Sequence, residues 1–525
     1  MKLAALLRNV DDARTTGEPA LEIAEVRDDS RAVQPGDLFV AVPGNAVDGR
    51  RFVADAVARG AAALVVEHAG EPPDFAGTIV SVPNARRALA QMAANRFATA
   101  DTPSLIAVTG TNGKTTTTHL LEAMLAADGI RAGLVGTIGY RLAGAWSREA
   151  PLTTPGALAL HGLFADMRAA GATDVVLEAS SIALDQARLD GCRFRVAGLT
   201  NLTQDHLDYH GSMGRYLDAK AILFERLLDE RAGVAVLPID LPEGQAMRAR
   251  VAPGRTVLTV AATAGTMGAD IAVESVSMSM SGTRAVLATP VGRLSLTSPL
   301  VGEYNLANIV LAVGMGVGRG LSPHAIVAGL ARVAGVAGRL ERVDNARGVL
   351  CLVDYAHTPD ALERSIAAVR PLVAPGGRLF TVFGCGGDRD RGKRPLMGAA
   401  AARGSDLAIV TSDNPRTERP DDIISMIVDG VRAVPGVREV EERELALADT
   451  RGGFHVVADR RLAIQRALGA ARAGDVVLIA GKGHEDYQIV GTTRTHFDDR
   501  EEARAALVVQ RMQPVPPVQP EDETP

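Results

Sequence analysis

Cysteine is scarce in this chain: Cys192, Cys351 and Cys385 stand alone among 525 residues. No Cys-x-x-Cys pair exists, which excludes a disulfide framework and a thiolate zinc site and points to a reducing cytoplasm. Aromatic residues make up 3% of the chain, with a single Trp, so the cores must be built from Ala, Val and Leu. No apolar run approaches the ~20 residues of a membrane span. The opening Met1-Lys-Leu-Ala-Ala-Leu-Leu-Arg8 is too short in apolar residues for a secretion signal. A basic excess is also missing: 56 Lys and Arg face 62 Asp and Glu, a net charge of −6. That argues against non-specific nucleic-acid binding.

What is present reads as a soluble globular protein, 47% hydrophobic and 22% charged, too long for one core. Residues 1–100 form a small α/β unit. Strands are expected at 38–42 and 62–66, helices at 51–59 and 85–98, and a linker at 101–104. A second unit starts at 105 and runs to 338, with strands at 105–108, 175–177, 196–200 and 233–237. Between 265 and 300 short alternating segments suggest an antiparallel insertion, and 303–318 reads as a helix rich in small residues. A third unit, 339–510, alternates strands (350–353, 379–383, 407–411, 476–480) with helices, the pattern of a mostly parallel sheet. The Pro-rich acidic stretch 511–525 is expected to be disordered.

The most informative stretch is Ser104-Leu-Ile-Ala-Val-Thr-Gly-Thr-Asn-Gly-Lys-Thr-Thr-Thr-Thr118. An apolar strand enters a turn (Gly110, Thr111, Asn112, Gly113), and Lys114, Thr115 and Thr116 open a helix. Glycines let the backbone approach phosphates, Lys114 neutralises β/γ-phosphate charge, and the Thr115 hydroxyl suits Mg²⁺. The chain therefore couples ATP to something. Val108 stands where the general P-loop pattern has its first Gly, so the loop is the compact Gly-x-x-Gly-Lys-Thr form.

Ligands in open α/β sheets sit at the carboxyl ends of strands. After 175–177 comes Glu178, a carboxylate placed to hold Mg²⁺. After 196–200 comes Asn201-Leu-Thr-Gln-Asp-His206-Leu-Asp-Tyr-His210, in which His206 is a candidate metal ligand. Lys220 lies among apolar residues on a helix, where a snorkelling side chain is the ordinary reading. Asn305 and Asn308 share a helix face, suited either to an adenine edge or to capping. Four later strand ends carry polar, Gly-rich loops: Asp354-Tyr-Ala-His357-Thr-Pro-Asp360, Gly384-Cys-Gly-Gly-Asp-Arg389-Asp-Arg-Gly-Lys393, Ser412-Asp413-Asn414-Pro415-Arg416 and Gly481-Lys-Gly-His-Glu485. Together they make an active-site rim, and the charged second loop suits phosphates or carboxylates.

The Gly-Thr-Asn-Gly-Lys-Thr-Thr, Asp-Tyr-Ala-His-Thr-Pro-Asp, Gly-Gly-Asp-Arg-Asp and Gly-Lys-Gly-His-Glu motifs together resemble the Mur ligase family, over residues 29 to about 488. The resemblance implies three α/β domains: an N-terminal UDP-sugar domain, a central P-loop ATPase domain and a Rossmann-like C-terminal domain for the incoming amino acid. It implies an ATP-dependent ligase of peptidoglycan precursor synthesis that forms an amide through an acyl phosphate. Ser30, Thr153, Thr154, Ser180, Gln186 and Arg188 match the family's UDP-MurNAc-peptide contacts. Asn305, Arg339, His357 and Lys393 match its nucleotide contacts. Lys220 matches a lysine that the family carbamylates with CO₂, so that with Thr115, Glu178 and His206 it would serve Mg²⁺. Asp413-Asn-Pro-Arg416 resembles the signature of members that add meso-diaminopimelate. Arg416 can pair two-point with the distal carboxylate that lysine lacks, and Arg389, Gly481 and Glu485 match other pocket residues. The implied partners are small molecules alone, UDP-MurNAc-dipeptide, diaminopimelate and ATP, acted on by a monomer.

Two positions depart from the family pattern: Ile182 replaces a His after the Ser-Ser pair, and the segment 44–49 differs. A nucleotide switch that makes no bond is the rival from another class, but it needs no four further polar strand ends. Folylpolyglutamate synthetase and the D-Ala-D-Ala-adding ligase are rivals within the superfamily. The Asp-Asn-Pro-Arg motif and the N-terminal segment beginning Asp29-Ser30-Arg31 argue against both.

Overall fold

In the computed structural model, residues 1–44, 48–68, 74–99, 103–279, 281–333 and 335–509 are described. The expectations for 45–47, for 101–102 of the linker and for the tail 511–525 lie outside them. The chain divides into two compact units. One comprises 1–276, 284–297 and 305–333; the other comprises 277–283, 298–304 and 334 onward.

The first unit carries two sheets. The N-terminal one contains β1 (Arg14–Thr16), β2 (Val26–Arg27), β3 (Leu38–Val40), β4 (Ala63–Glu67) and β5 (Thr78–Val82), in the order β1-β5-β4-β3-β2. Every pairing is parallel except β1 with β5.

The larger sheet contains β6 (Ser104–Thr109), β7 (Ala132–Val135), β8 (Tyr140–Leu142), β9 (Trp146–Arg148), β10 (Asp174–Glu178), β11 (Phe194–Leu199), β12 (Val234–Pro238), β13 (Thr256–Ala261), β14 (Ile271–Ser279), β15 (Gly282–Ala288) and β16 (Leu294–Ser298). Their order is β16-β15-β14-β13-β12-β11-β6-β10-β7-β8-β9. The alternating segments expected to form an insertion instead extend this sheet at one edge, where β14 joins β13 in parallel. Alternating burial suits such a strand, since one face packs and the other meets water.

At the centre, β6 runs parallel between β10 and β11. Leu105, Ile106, Ala107 and Val108 are all at most 2% exposed, and burying each large apolar side chain stabilises the fold by ~1.5–3 kcal/mol. The helix Glu303–Arg319 needs small residues because it lies close on the sheet. A Cβ on Gly314 would stand 2.7 Å from Val260 Cγ1 and 2.8 Å from Val236 Cγ1.

The second unit carries β17 (Glu341–Val343), β18 (Leu350–Asp354), β19 (Leu379–Phe383), β20 (Leu407–Val410), β21 (Arg438–Glu439), β22 (Gly453–Val456) and β23 (Val476–Ala480), in the order β17-β18-β23-β19-β20-β22-β21. Only β17 is antiparallel, so this sheet is mostly parallel, as its apolar runs imply. β18, β23, β19 and β20 are neighbours, and all four polar loops leave from the same edge. A hairpin of β24 (Tyr487–Val490) and β25 (Thr493–His496) and the helix Asp499–Val509 follow.

Candidate active site

The P-loop sits between β6 and the helix Lys114–Ala127. Gly110 has φ +141° and Gly113 has φ +88°, backbone conformations that favour glycine. Space requires glycine as well: a Cβ on Gly110 would fall 1.8 Å from Thr200 Oγ1, and one on Gly113 would fall 2.2 Å from Asn308 Oδ1. Asn305 lies one turn before Asn308 and accepts from its Nδ2 at 3.3 Å. Asn308, rather than Asn305, is the side chain set against the loop.

Not every loop N–H faces outward. Thr111 N donates to Asn201 O at 3.0 Å and Asn112 N to Asn201 Oδ1 at 3.1 Å, while Asn201 Nδ2 donates to Asn112 O at 3.1 Å. Thr111 and Asn112 therefore shape the turn through Asn201. Phosphate-facing donors are left to the first helical turn, whose N–H groups have no intrahelical acceptor. Lys114 Nζ folds back to Gly110 O at 3.0 Å and Thr111 O at 2.8 Å. Thr115 and Thr116 are buried behind it.

Lys220, on the helix Met213–Ile222, is 1% exposed and donates to Gly110 O at 2.8 Å. Its ammonium lies 4.3 Å from the Tyr216 ring centre, and Tyr216 OH is 3.2 Å from Thr111 Oγ1. Burial, reinforced by the nearby Lys114 charge, holds the Lys220 amine well below its usual pKa. The His206 ring stands 6.3 Å from that of Tyr216 and 3.6 Å (Nε2) from Asp205 Oδ2.

Glu178 ends β10, paired in register with Val108 at the mouth of the loop. Its carboxylate accepts from Thr137 N and Thr137 Oγ1, both at 2.9 Å. From there a polar chain runs outward. Thr137 meets Thr153 at 3.1 Å, and Thr154 Oγ1 donates to Glu178 O at 2.7 Å and reaches Ser180 Oγ at 3.2 Å. Arg188 donates to Thr154 O at 2.8 Å and to Gln186 Oε1 at 2.7 Å. Thr153, Thr154, Ser180, Gln186 and Arg188 thus converge. Ile182 lies half-buried on the short helix Ser181–Asp185 that Ser180 caps.

Gln186 and Arg188 line a cavity of about 380 Å³ together with Asp28, Pro43, Arg86 and Gly156. Ser30 is buried and is not among its lining residues, while Asp28, two residues before it, is.

Among the described residues no group of three or more His, Cys, Asp or Glu could hold a metal by itself. The chemistry of Thr115 and Glu178, a hydroxyl and one carboxylate, suits Mg²⁺, an ion that keeps several waters and uses one or two carboxylates plus phosphate oxygens.

In the second unit, the four loops carry most of the expected residues. Lys393 Nζ donates to His357 O at 2.8 Å, and the Arg339 guanidinium lies 4.9 Å from the Tyr355 ring. Asp413 and Asn414 are buried. Asn414 Nδ2 donates to Glu485 Oε2 at 2.9 Å. Arg416 is held at φ +51°, with Nη1 on Gly387 O at 2.9 Å and its backbone N–H on Ile489 O at 3.1 Å. Pro415 O packs against Gly387, where a Cβ would come within 1.8 Å. Gly481 lies beside Asp413, and a Cβ there would stand 3.2 Å from Asp413 Oδ2. Arg389 is exposed and donates to Asp388 O at 3.3 Å; its side chain flanks Gly386 together with Arg416 and Asn414, where a Cβ would stand 3.8 Å from Arg389 Cγ and 3.0 Å from Arg416 Nη1.

Burial raises the Glu485 carboxyl, and the neighbouring Asp413 charge adds to it. Burial alone would raise Asp413 too, but Lys482 and Arg460 outweigh it and hold that carboxyl below its usual pKa. Sequence reasoning passed over Asn201, Tyr216, Lys482 and Arg460. Lys482 lay inside a recognised motif and its adjacency to Gly481 was a usable signal; Arg460 had none.

Three family models match end to end: the Mur ligase family catalytic domain over residues 22–97, the Mur ligase middle domain over 108–316 and the Mur ligase glutamate ligase domain over 338–483. A protein of Geobacter metallireducens named UDP-N-acetylmuramoyl-L-alanyl-D-glutamate–2,6-diaminopimelate ligase is 46% identical, over 97% of this chain and 98% of its own length. One of Gloeobacter violaceus with the same name is 48% identical over 95% and 96%. A solved structure of a ligase of that name is 34% identical with a TM-score of 0.72, covering 98% of this chain and 100% of its own. Matched in all three segments and by relatives along nearly its whole length, the chain belongs to the Mur ligase family.

Proposed function

We propose that this chain joins meso-diaminopimelate to UDP-N-acetylmuramoyl-L-alanyl-D-glutamate, converting ATP to ADP and phosphate, in peptidoglycan precursor synthesis. The observation that carries the reading is the second-unit loop cluster. There the Arg416 guanidinium, the Asn414 amide and the Glu485 carboxylate are held by buried partners. A diamino diacid presents a distal carboxylate and a distal ammonium, and this set offers one group for each. L-Lysine would leave Arg416 without its anion, at the cost of an unpaired polar group. The relatives' names support the same substrate.

In this reading residues 1–100 hold the UDP-sugar, 101–338 hold ATP and 339–510 hold the amino acid. The substrate's terminal carboxylate attacks the γ-phosphorus of ATP, and the bond to the β–γ bridging oxygen breaks as ADP leaves. The amine of diaminopimelate then attacks the acyl phosphate, and phosphate leaves with formation of the amide. Lys114 exchanges its two carbonyl acceptors for the β/γ-phosphates and disperses charge in the first step. Mg²⁺, held by Thr115, Glu178 and His206, would when bound supply Lewis-acid stabilisation of phosphoryl charge. Gln186, Arg188, Thr153, Thr154 and Ser180 orient the peptide end of the UDP substrate. Arg339, His357 and Lys393, clustered on one loop edge, are nucleotide contacts.

Lys220 is assigned as a carbamate. The deprotonated form of the Lys220 amine, which burial favours, adds to CO₂ and releases a proton, and the side chain becomes an oxygen ligand. No helix among the described residues is long and apolar enough to cross a membrane, and the reading places a monomer in the cytoplasm, where ATP is available.

The test is product formation from purified chain, ATP and UDP-MurNAc-dipeptide. Amide formed with meso-diaminopimelate and not with L-lysine is expected. ADP release that needs no amino acid would instead favour a nucleotide switch.

A further inference from the structure

We propose that Lys482 is a positioning residue that sets the polarity of the amino-acid pocket, by fixing the orientation of the Asn414 amide and through it the Glu485 carboxylate. The inference rests on the diaminopimelate reading and deepens it.

Two donors converge on one side-chain atom of Asn414: Ile489 N at 3.0 Å and Lys482 Nζ at 2.9 Å. A backbone N–H and an ammonium can only donate, so that atom must be the carbonyl oxygen. The other amide atom is then the NH₂ group. It faces Glu485 and donates to Oε2 at 2.9 Å. Glu485 Oε1 has no hydrogen-bond partner among the described residues and stays an acceptor for a substrate ammonium.

Lys482 does not itself reach substrate. Its side chain is fully buried, with two hydrogen bonds and one ion pair inside the protein. They go to Asn414 Oδ1, to Tyr487 O at 2.6 Å, and toward Asp413 Oδ1 at 3.3 Å. The same ammonium therefore ties the 412–416 loop to the β24–β25 hairpin and neutralises Asp413 beside Glu485. Without it, the Asn414 carbonyl oxygen is held by Ile489 alone, and Asp413, which adds to the raised pKa of Glu485, loses one of its two neutralising cations.

The test compares Lys482→Met with the wild-type full chain, measuring KM for all three substrates and kcat. The expected result is a KM for meso-diaminopimelate raised about 10-fold or more, the loss of a charge-assisted hydrogen bond. KM for ATP and for UDP-MurNAc-dipeptide should stay within about threefold, as should kcat at saturating amino acid. An unchanged KM for diaminopimelate, or three KM values that move together, overturns the inference. If Lys482→Met fails to fold, Lys482→Gln decides by the same criteria, because it keeps a polar amide in the buried site while removing the charge and shortening the reach to Asn414 Oδ1. A wild-type chain that makes no diaminopimelate amide overturns the underlying reading, and a different result thus marks each failure.

Discussion

Replacing Asp499 by Ala should destabilise the second unit more than any surface change. Arg460 and Asp499 are both 0% exposed, with hydrogen bonds of 2.8 and 2.6 Å between them. The guanidinium also donates to Ala480 O at 2.9 Å, at the end of β23, and to Ser412 O at 3.4 Å, just past β20. Removing the carboxylate leaves a buried cation hydrogen-bonded only to carbonyls, with Asp413, already paired with Lys482, as the nearest remaining opposite charge, a loss of ~3–5 kcal/mol. For a folding unit of this size the melting temperature should fall by about 10 °C. Differential scanning calorimetry of Asp499→Ala against wild type gives the number directly. The double variant Arg460→Met/Asp499→Leu removes both charges together and should recover most of the loss, because a well-packed apolar pair often equals a buried ion pair. A single variant that loses less than about 1 kcal/mol would refute the reasoning, since it would mean that the pair is solvated like a surface bridge.

Three further outcomes are expected. Gly110→Ala must push its Cβ away from Thr200 Oγ1, 1.8 Å distant. A displacement of about 1 Å in the loop should lower kcat/KM for ATP about 100-fold, and steady-state kinetics with an effect under threefold would count against the cradle. Enzyme stripped of CO₂ should lose activity and regain it with bicarbonate, whereas Lys220→Ala should respond to neither; a wild type indifferent to bicarbonate removes the carbamate. Burial holds the His161 imidazole down to about 4, against ~6.5 when unfolded. Between those values the unfolded chain binds a proton that the folded chain does not, so stability falls as pH drops from about 6.5 to about 4, by ~3 kcal/mol in all. Urea unfolding at both ends of that window should show a smaller difference in His161→Gln than in wild type.

The strand ends were legible because a parallel sheet exposes its ligand-bearing loops at one edge, and each expected parallel strand of the second unit was followed by a polar loop. Asp413-Asn-Pro-Arg416 and Gly481–Glu485 were readable as separate motifs; their meeting through Asn414 and Glu485 spans 71 residues and had to be seen in the fold. Asn201 clamps the P-loop from 89 residues away, a contact that no local pattern encodes. The segment 265–300 showed its strands through alternation, but alternation does not say which sheet a strand joins. A matching motif assigns Ser30 to the UDP-sugar; in the fold Ser30 is buried, and Asp28, two residues before it, lines the cavity.

The central claim is that ATP cleavage serves the joining of a diamino diacid. The most direct measurement is ADP release by the full chain with UDP-MurNAc-dipeptide and either meso-diaminopimelate or L-lysine. The account predicts a kcat/KM for meso-diaminopimelate at least about 100-fold above that for L-lysine, given the unpaired Arg416 that lysine leaves. Equal or greater efficiency with L-lysine would contradict it.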